Sequence, residues 1–247
     1  MTKVCLIGLG RTGSEIARII MKQRDMKLVA VVCSDISSKA GKDIGEILGL
    51  PETGIKVYTS GQLNYVLEKL KPDVFVDFSN HKATMNYISI ISENKAAIVI
   101  GTTGFSETDI MRMKVLAKKN GSGILYAPNI TVGVNVMMLL SNIVSRILSD
   151  YDFEISEAHH KHKKDSPSGT ALKIADQIEE GLQYSGVKVI QSIPIHATRA
   201  GGIIGRHKLM AAGENDKIEI IHESFNRKAF ADGALRGIRF IKGKKGY

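Results

Sequence analysis

Tryptophan is absent from this chain, and aromatic residues make up only 6% of it. A binder of single-stranded nucleic acid stacks bases on aromatic side chains interleaved with basic ones, and no such surface is legible here. Cysteine is almost as scarce. The two that occur, Cys5 and Cys33, sit inside apolar, strand-like runs. A disulfide framework is therefore not expected, and a reducing cytoplasm is the natural setting. No apolar run approaches the ~20 residues that span a bilayer. Met1-Thr2-Lys3-Val4 leads straight into a strand and does not read as a secretion signal. Internal repeats and low-complexity segments are missing too. These absences leave a soluble globular protein, with neither nucleic acid nor membrane expected as a partner.

What is present fits that class. A chain of 247 residues, 43% of them apolar, makes one large domain or two modest ones. The net charge of +9 permits nucleic-acid binding, but the basic residues are spread along the chain. We read the excess as favouring anionic small molecules through long-range attraction, because of one stretch. Glu157-Ala-His-His-Lys-His-Lys-Lys-Asp-Ser-Pro-Ser-Gly-Thr170 holds His159, His160 and His162 with Lys161, Lys163 and Lys164. Imidazole trades protons near neutral pH, and lysine can hold carboxylates. Ser168-Gly169-Thr170 then opens a helical pattern whose N–H groups suit an anion. Chemistry on a small acidic molecule would need these groups together.

Taken in order, the chain begins with an apolar run, Lys3–Ile7, and then Gly8-Leu9-Gly10-Arg11-Thr12-Gly13. Ile16, Ala17, Ile19 and Ile20 follow at helical spacing. Strand, G-x-G-x-x-G and helix is the arrangement in which a dinucleotide pyrophosphate meets a helix start. A second strand, Lys27–Cys33, completes the unit. An acid at its end would bind the ribose hydroxyl of NAD. Here the order is Cys33-Ser34-Asp35, with the acid late and Ser34 small enough to admit a 2′-phosphate. Arg11 with Lys39 or Lys42 could neutralise that phosphate, so NADPH is the expected preference over NADH.

Strands at Lys56–Tyr58, Val74–Asp77, Ala97–Ile100 and Gly123–Ala127 alternate with helices at Leu63–Leu70, Lys82–Asn94 and Glu107–Lys119. Gly101-Thr102-Thr103-Gly104 follows a strand's carboxyl end, where ligands lie in open parallel sheets; a plain turn explains it equally well. Asp77 could face the nicotinamide or cap a turn. After Pro128-Asn129 the pattern changes. A long helix, Val134–Leu148, and a strand, Phe153–Ala158, lead into the basic stretch, and the helix Thr170–Glu180 follows. Alternating runs at Ser192–Thr198, Ile203–Ala211 and Lys217–Glu223 suggest an antiparallel or mixed sheet, with hairpin-like turns at 200–202 and 213–215. The last helix, Ala229–Ile241, is expected to return to the first domain. The fold class is thus α/β: an N-terminal Rossmann dinucleotide-binding domain, residues 1–129 plus 227–247, and a C-terminal α+β domain on an open mixed sheet, residues 130–226.

Rival readings are open at this point. His159, His160 and His162 could bind zinc, but the lysines among them would repel a divalent cation and no cysteine or acid sits at ligand spacing; no metal is expected. A related diamino-acid dehydrogenase or a non-catalytic dinucleotide sensor would share the same alternation. His81, His196 and His222 read as surface or satisfied sheet residues, and His207 carries no derivable role.

With these residues laid out, the chain resembles the 4-hydroxy-tetrahydrodipicolinate reductase (dihydrodipicolinate reductase) family over nearly its whole length. The stretch from Glu157 to Ala171 is similar to the family's E-x-H-H-x-x-K-x-D-x-P-S-G-T-A signature. Gly101–Phe105, Ala127–Asn135, Arg199-Ala-Gly201 with Gly205-Arg-His207, and Asn226–Ala234 resemble four further family segments. The resemblance implies that His159 is the proton donor and Lys163 the second catalytic residue. It implies that His160, Ser168, Gly169 and Thr170 hold the carboxylates of a small dicarboxylate substrate, with Arg227 near that pocket. Gly8 to Gly13, Cys33 and Ser34, Gly101 to Thr103, and Ala127, Pro128, Asn129 and Ile130 match the cofactor-contacting positions. A cytoplasmic homotetramer using NADH or NADPH in lysine and diaminopimelate synthesis is implied as well, the second domain serving substrate and assembly. Two departures bear on the cofactor: the glycine turn is one residue shorter than the family's G-x-x-G-R-M-G, and Cys33 replaces the acid that grips the ribose. The chain also ends at Tyr247, short of the family's usual tail, so a trimmed closing element is expected.

Overall fold

Alternation is missing from the first strand. In β1 (Thr2–Ile7), Val4, Cys5, Leu6 and Ile7 are all buried, as a strand covered on both faces requires. It pairs in parallel with β2 (Met26–Cys33) and β4 (Val74–Asp77). With β3 (Val57–Thr59), β5 (Ala97–Ile100) and β6 (Ile124–Tyr126) the order is β3-β2-β1-β4-β5-β6. Leu6, Val31, Val76 and Val99 face one way, into a core shared with α1 (Arg11–Ile20) and α8 (Lys228–Ile241). Cys5, Ala30, Phe75 and Ile98 face the other, against α4 (His81–Glu93) and α5 (Glu107–Asn120). This is the expected doubly wound sheet.

The computed structural model describes all residues, Met1–Tyr247. One unit comprises Met1–Ile130 with Phe230–Tyr247, and the other Thr131–Ala229. Within the first, two details differ from the sequence reading. A short helix, α2 (Ile44–Leu48), forms where none was expected, its start capped by the Asp43 carboxylate. The segment 60–70 is not one regular helix but a 3₁₀ turn, three α residues (α3, Leu63–Tyr65) and a π turn, closed by Lys71 at φ +48°. At the chain's end, Gly246 bridges Gly123 and accepts from the Ile124 N–H.

In the second unit the pattern alternates. β7 (Asp152–His159) buries Phe153, Ile155, Glu157 and His159 and leaves the residues between them partly exposed. α6 (Val132–Ile147) and α7 (Gly169–Tyr184) supply Met137, Ile174 and Ile178 to the core against Phe153 and Ile155. The sheet runs β10 (Lys217–Glu223), β9 (Arg206–Ala212), β7, β8 (Ile195–Arg199). It is mixed, since β8 lies parallel to β7 and β9 antiparallel. The hairpin at 213–215 forms, with the Gly213 N–H donated to Asp216 O. The one expected at 200–202 does not, because β7 lies between β8 and β9. That turn instead folds over the end of β7, the Ala200 N–H reaching His159 O at 2.9 Å. No helix is long and apolar enough to cross a membrane.

Candidate active site

In the first unit, the sheet's strand order reverses on either side of β1, and such a switch point is where open α/β sheets bind ligands. Gly8 sits there at φ +93°, and a Cβ on it would lie 2.4 Å from Phe78 O. The turn after β1 therefore presses directly on the turn after β4. A Cβ on Gly13 would lie 2.0 Å from Gly8 O, so α1 also starts hard against that turn. Gly10 is the N-cap of α1 and provides no side-chain cap, which suits the helix start to an anion. Around it Leu9 is buried, Thr12 half-buried and Arg11 exposed.

The neighbouring carboxyl ends meet at the same place. A Cβ on Gly101, after β5, would lie 2.3 Å from the Phe78 ring. Thr102 is buried, its Oγ1 accepting from the Ser79 N–H at 2.9 Å, while Thr103 is exposed. Asp77 resolves toward turn capping: it is buried and accepts from the Ser79 N–H and hydroxyl at 2.9 and 2.6 Å and from the Thr84 hydroxyl. Burial pushes its pKa up, against these hydrogen bonds. Ala127, Pro128 and Asn129 follow β6 half-buried, and Ile130 joins the core. Phe78 and Ser79, which the sequence reading passed over, are thus the point on which these turns pack.

At the end of β2, Cys33 is buried with its thiol on Tyr58 O at 3.3 Å, and Ser34 is exposed. Asp35 accepts from the Gly61 N–H at 2.9 Å, which holds its pKa low and commits it to the turn after β3. Lys39 Nζ donates to Leu9 O at 2.6 Å, placing a cation beside the glycine turn. Lys42 pairs with Glu46 at 2.5 Å instead.

The second unit gathers a different set. Glu157 and His159 lie two apart on β7 and so share its covered face. Both are buried, and Glu157 Oε2 meets His159 Nδ1 at 2.5 Å. Arg199, at the end of β8, donates to both Glu157 oxygens at 2.7 and 2.9 Å. The Ser168 N–H reaches Oε1 at 3.0 Å. From β9, His207 stands edge-on to His159 with centroids 5.1 Å apart, its Nε2 3.3 Å from the Ser168 hydroxyl. Burial works to raise Glu157's pKa, but the bonds from Arg199, His159 and Ser168 outweigh it and hold the carboxyl low. Burial lowers His159's pKa, with Glu157 opposing. Burial and the neighbouring His159 bring His207 down to about 4.

Beside this cluster the chain turns, the Lys163 N–H donating to His160 O at 3.0 Å. The strand ends at His159, so His159, His160 and His162 do not lie along one extended segment. His160 is half-buried, 6.3 Å from the exposed His162 ring. The three groups that do converge, Glu157, His159 and His207, keep their ligand atoms within 4.8 Å of one another, but Arg199 occupies both carboxylate oxygens. Lys163 Nζ lies 2.8 Å from Asp165 Oδ1. Asp165 is exposed; partial desolvation works to raise its pKa, but the Lys163 ammonium and the Gly169 N–H hold it below its ordinary value. Ser168 caps α7, its Oγ accepting from the Ala171 N–H at 3.2 Å, and a Cβ on Gly169 would meet nothing within 4 Å. Thr170 is half-buried one residue on, while Arg227 is half-buried outside this hydrogen-bonded cluster. Of the isolated histidines, His196 is exposed near Glu154, and His222 turns inward opposite His207.

Glu157 and His207, both buried, and the half-buried Arg199 had no role in the sequence reading. The two-residue spacing of Glu157 and His159 on a strand was the available signal; the other two come from strands distant in sequence.

Comparison with known proteins agrees along the whole chain. The model "Dihydrodipicolinate reductase, N-terminus" matches residues 2–130, and "Dihydrodipicolinate reductase, C-terminus" matches residues 133–247. The 4-hydroxy-tetrahydrodipicolinate reductase of Methanocaldococcus jannaschii is 37% identical, over 99% of this chain and 94% of its own. That of Methanothermobacter thermautotrophicus is 39% identical, over 98% and 94%. Among solved structures, dipicolinate-bound dihydrodipicolinate reductase from Paenisporosarcina sp. TG-14 superposes with a TM-score of 0.81 at 29% identity, covering 100% of this chain and 96% of that one. Two family models that between them span the chain, with relatives of matching length, leave one assignment: this chain belongs to the dihydrodipicolinate reductase family.

Proposed function

We propose that the protein reduces 4-hydroxy-tetrahydrodipicolinate to tetrahydrodipicolinate, with His159 as proton donor. The observation that carries this is the buried Glu157–His159 pair set beside Lys163 and the start of α7. A bound NADH or NADPH supplies the hydride, and the residues of the first unit fit a dinucleotide: two glycines with no room for a Cβ and a helix start without a side-chain cap. In the second unit, the hydroxyl leaving the ring carries away a proton as water, and His159 Nε2 is the atom to give it. A general acid contributes roughly 10²–10⁴-fold in rate.

The substrate's carboxylates would take the place that Asp165 now fills, between the Lys163 ammonium and the Gly169 N–H. A helix start favours an anion there, and Lys163 would also stabilise charge that develops in the transition state. His160, Ser168, Thr170 and Arg227 complete the assignment on the substrate side. Leu9 to Gly13, Ser34, Gly101 to Thr103 and Ala127 to Ile130 are assigned to the cofactor. NADPH is the preferred form, supported by Lys39 on Leu9 O, exposed Arg11, and an Asp35 turned to other partners.

We assign the second unit to substrate binding and assembly, and the assembly to a homotetramer. α6 carries an exposed apolar stripe, Val136, Leu139, Leu140, Ile143 and Ile147, of the kind that marks interaction surfaces. Two free, buried cysteines agree with a cytoplasmic setting. Steady-state assays on the cyclic imine with both cofactors test the function. His159→Ala and Lys163→Ala should each lower kcat at least about 10²-fold, and unchanged turnover in both refutes the assignment. Light scattering should give the mass of four chains.

A further inference from the structure

We infer that Glu157 is a positioning residue: its single carboxylate fixes the tautomer and direction of the His159 ring and, at the same time, the start of the α7 helix. This rests on the proposed role of His159 and deepens it.

Four donors converge on that carboxylate. His159 Nδ1 and Arg199 Nη1 meet Oε2 at 2.5 and 2.9 Å, and Arg199 Nη2 and the Ser168 N–H meet Oε1 at 2.7 and 3.0 Å. An ionised carboxylate only accepts, so Nδ1 of His159 is the nitrogen that keeps its hydrogen. Nε2 is then left as the nitrogen that exchanges a proton with substrate. It points toward Gly205, where even a methyl group would come within 3.2 Å of it. The guanidinium keeps Glu157 ionised while the ring gains and loses its charge. Lys163 from the loop and His207 from β9 are the other titratable groups facing this ring. Because Oε1 holds the Ser168 N–H, the atom that gives the proton and the helix start that holds the carboxylate are fixed to one buried group.

Glutamine at this position presents a donor to Arg199 and loses one acceptor, so it cannot serve all four partners. The test uses ¹⁵N-histidine-labelled protein saturated with NADPH, with His159 assigned from His159→Asn. In the wild type, neutral His159 should carry its hydrogen on Nδ1. In Glu157→Gln that tautomer should be lost and kcat should fall about 10²–10³-fold. The limb of kcat/KM that reports the acid should move to lower pH, because the imidazolium has lost its carboxylate. The NADPH dissociation constant should stay within twofold. A purely structural Glu157 would lower Tm while leaving the tautomer and the pH limb in place. That result overturns the inference, as does wild-type His159 protonated on Nε2. Should Glu157→Gln fail to fold, the wild-type tautomer and the pH limb of Arg199→Lys decide. A wild type inactive on the cyclic imine would remove the proposed reaction, while the tautomer measurement would still decide the role of Glu157.

Discussion

His207 makes the second unit sensitive to mild acid, by an amount that can be worked out. Its folded pKa lies at about 4, against an ordinary 6.5, because it is buried next to His159. Between those values the unfolded chain binds the proton and the folded one does not, so stability falls as pH drops. At pH 7 the side chain is neutral in the folded state and mostly neutral in the unfolded one. At pH 5 the unfolded side chain is largely protonated, and the linkage relation gives a loss of about 2 kcal/mol from this residue alone. His159 and His222 are shifted down as well and act with the same sign. Glu157 does not contribute until lower pH, since its pKa is held below the usual carboxylate range. Urea unfolding at pH 7 and pH 5, followed by far-UV circular dichroism and by hydrogen exchange in β9, measures the difference. His207→Gln should reduce the loss by about 2 kcal/mol, its amide oxygen still able to accept from the Ser168 hydroxyl. Equal stability of the wild type at the two pH values, or an undiminished loss in His207→Gln, refutes the reasoning.

Gly8→Ala should abolish NADPH binding, since its Cβ would fall 2.4 Å from Phe78 O at a φ of +93°; fluorescence titration checks this. Lys39→Ala should raise KM for NADPH about tenfold, the loss of one charge-assisted contact, and leave KM for NADH nearly unchanged; equal effects on both would place Lys39 away from the 2′-phosphate. Lys71→Gly should stabilise the first unit by about 0.5–1 kcal/mol, because Lys71 holds φ +48° as the cap of the π turn and glycine adopts that conformation without a Cβ penalty. A higher urea midpoint is the expected reading.

The first unit was legible because its signals are local. Val4 to Ile7 and Val74 to Asp77 are unbroken buried runs, and the glycine turn follows the first directly. Periodicity and a few punctuating residues carry that much. What escaped was what neighbouring turns impose on one another. Nothing in Phe78-Ser79 declares that Gly8 and Gly101 will both pack against it. The irregular turn at 66–70 escaped for a related reason, since its hydrophobic positions are shared with an ordinary helix.

The second unit divides the same way, and the division falls across the candidate site. His159, Lys163 and the Ser168–Gly169 turn were found because they are contiguous, and because three imidazoles among lysines cannot be core filler. The groups that set their chemistry come from elsewhere: Arg199 lies 42 residues and His207 39 residues from their partners Glu157 and Ser168. Whether Arg199 meets Glu157 depends on β8 pairing parallel to β7. The hairpin expected at 200–202 would have paired β8 with β9 and taken Arg199 from the edge of β7 where it now stands. One misread turn thus hid the guanidinium that keeps a buried acid ionised. That acid in turn decides which nitrogen of His159 can release a proton. A local pattern names the groups able to do the chemistry, whereas strand order determines their protonation state.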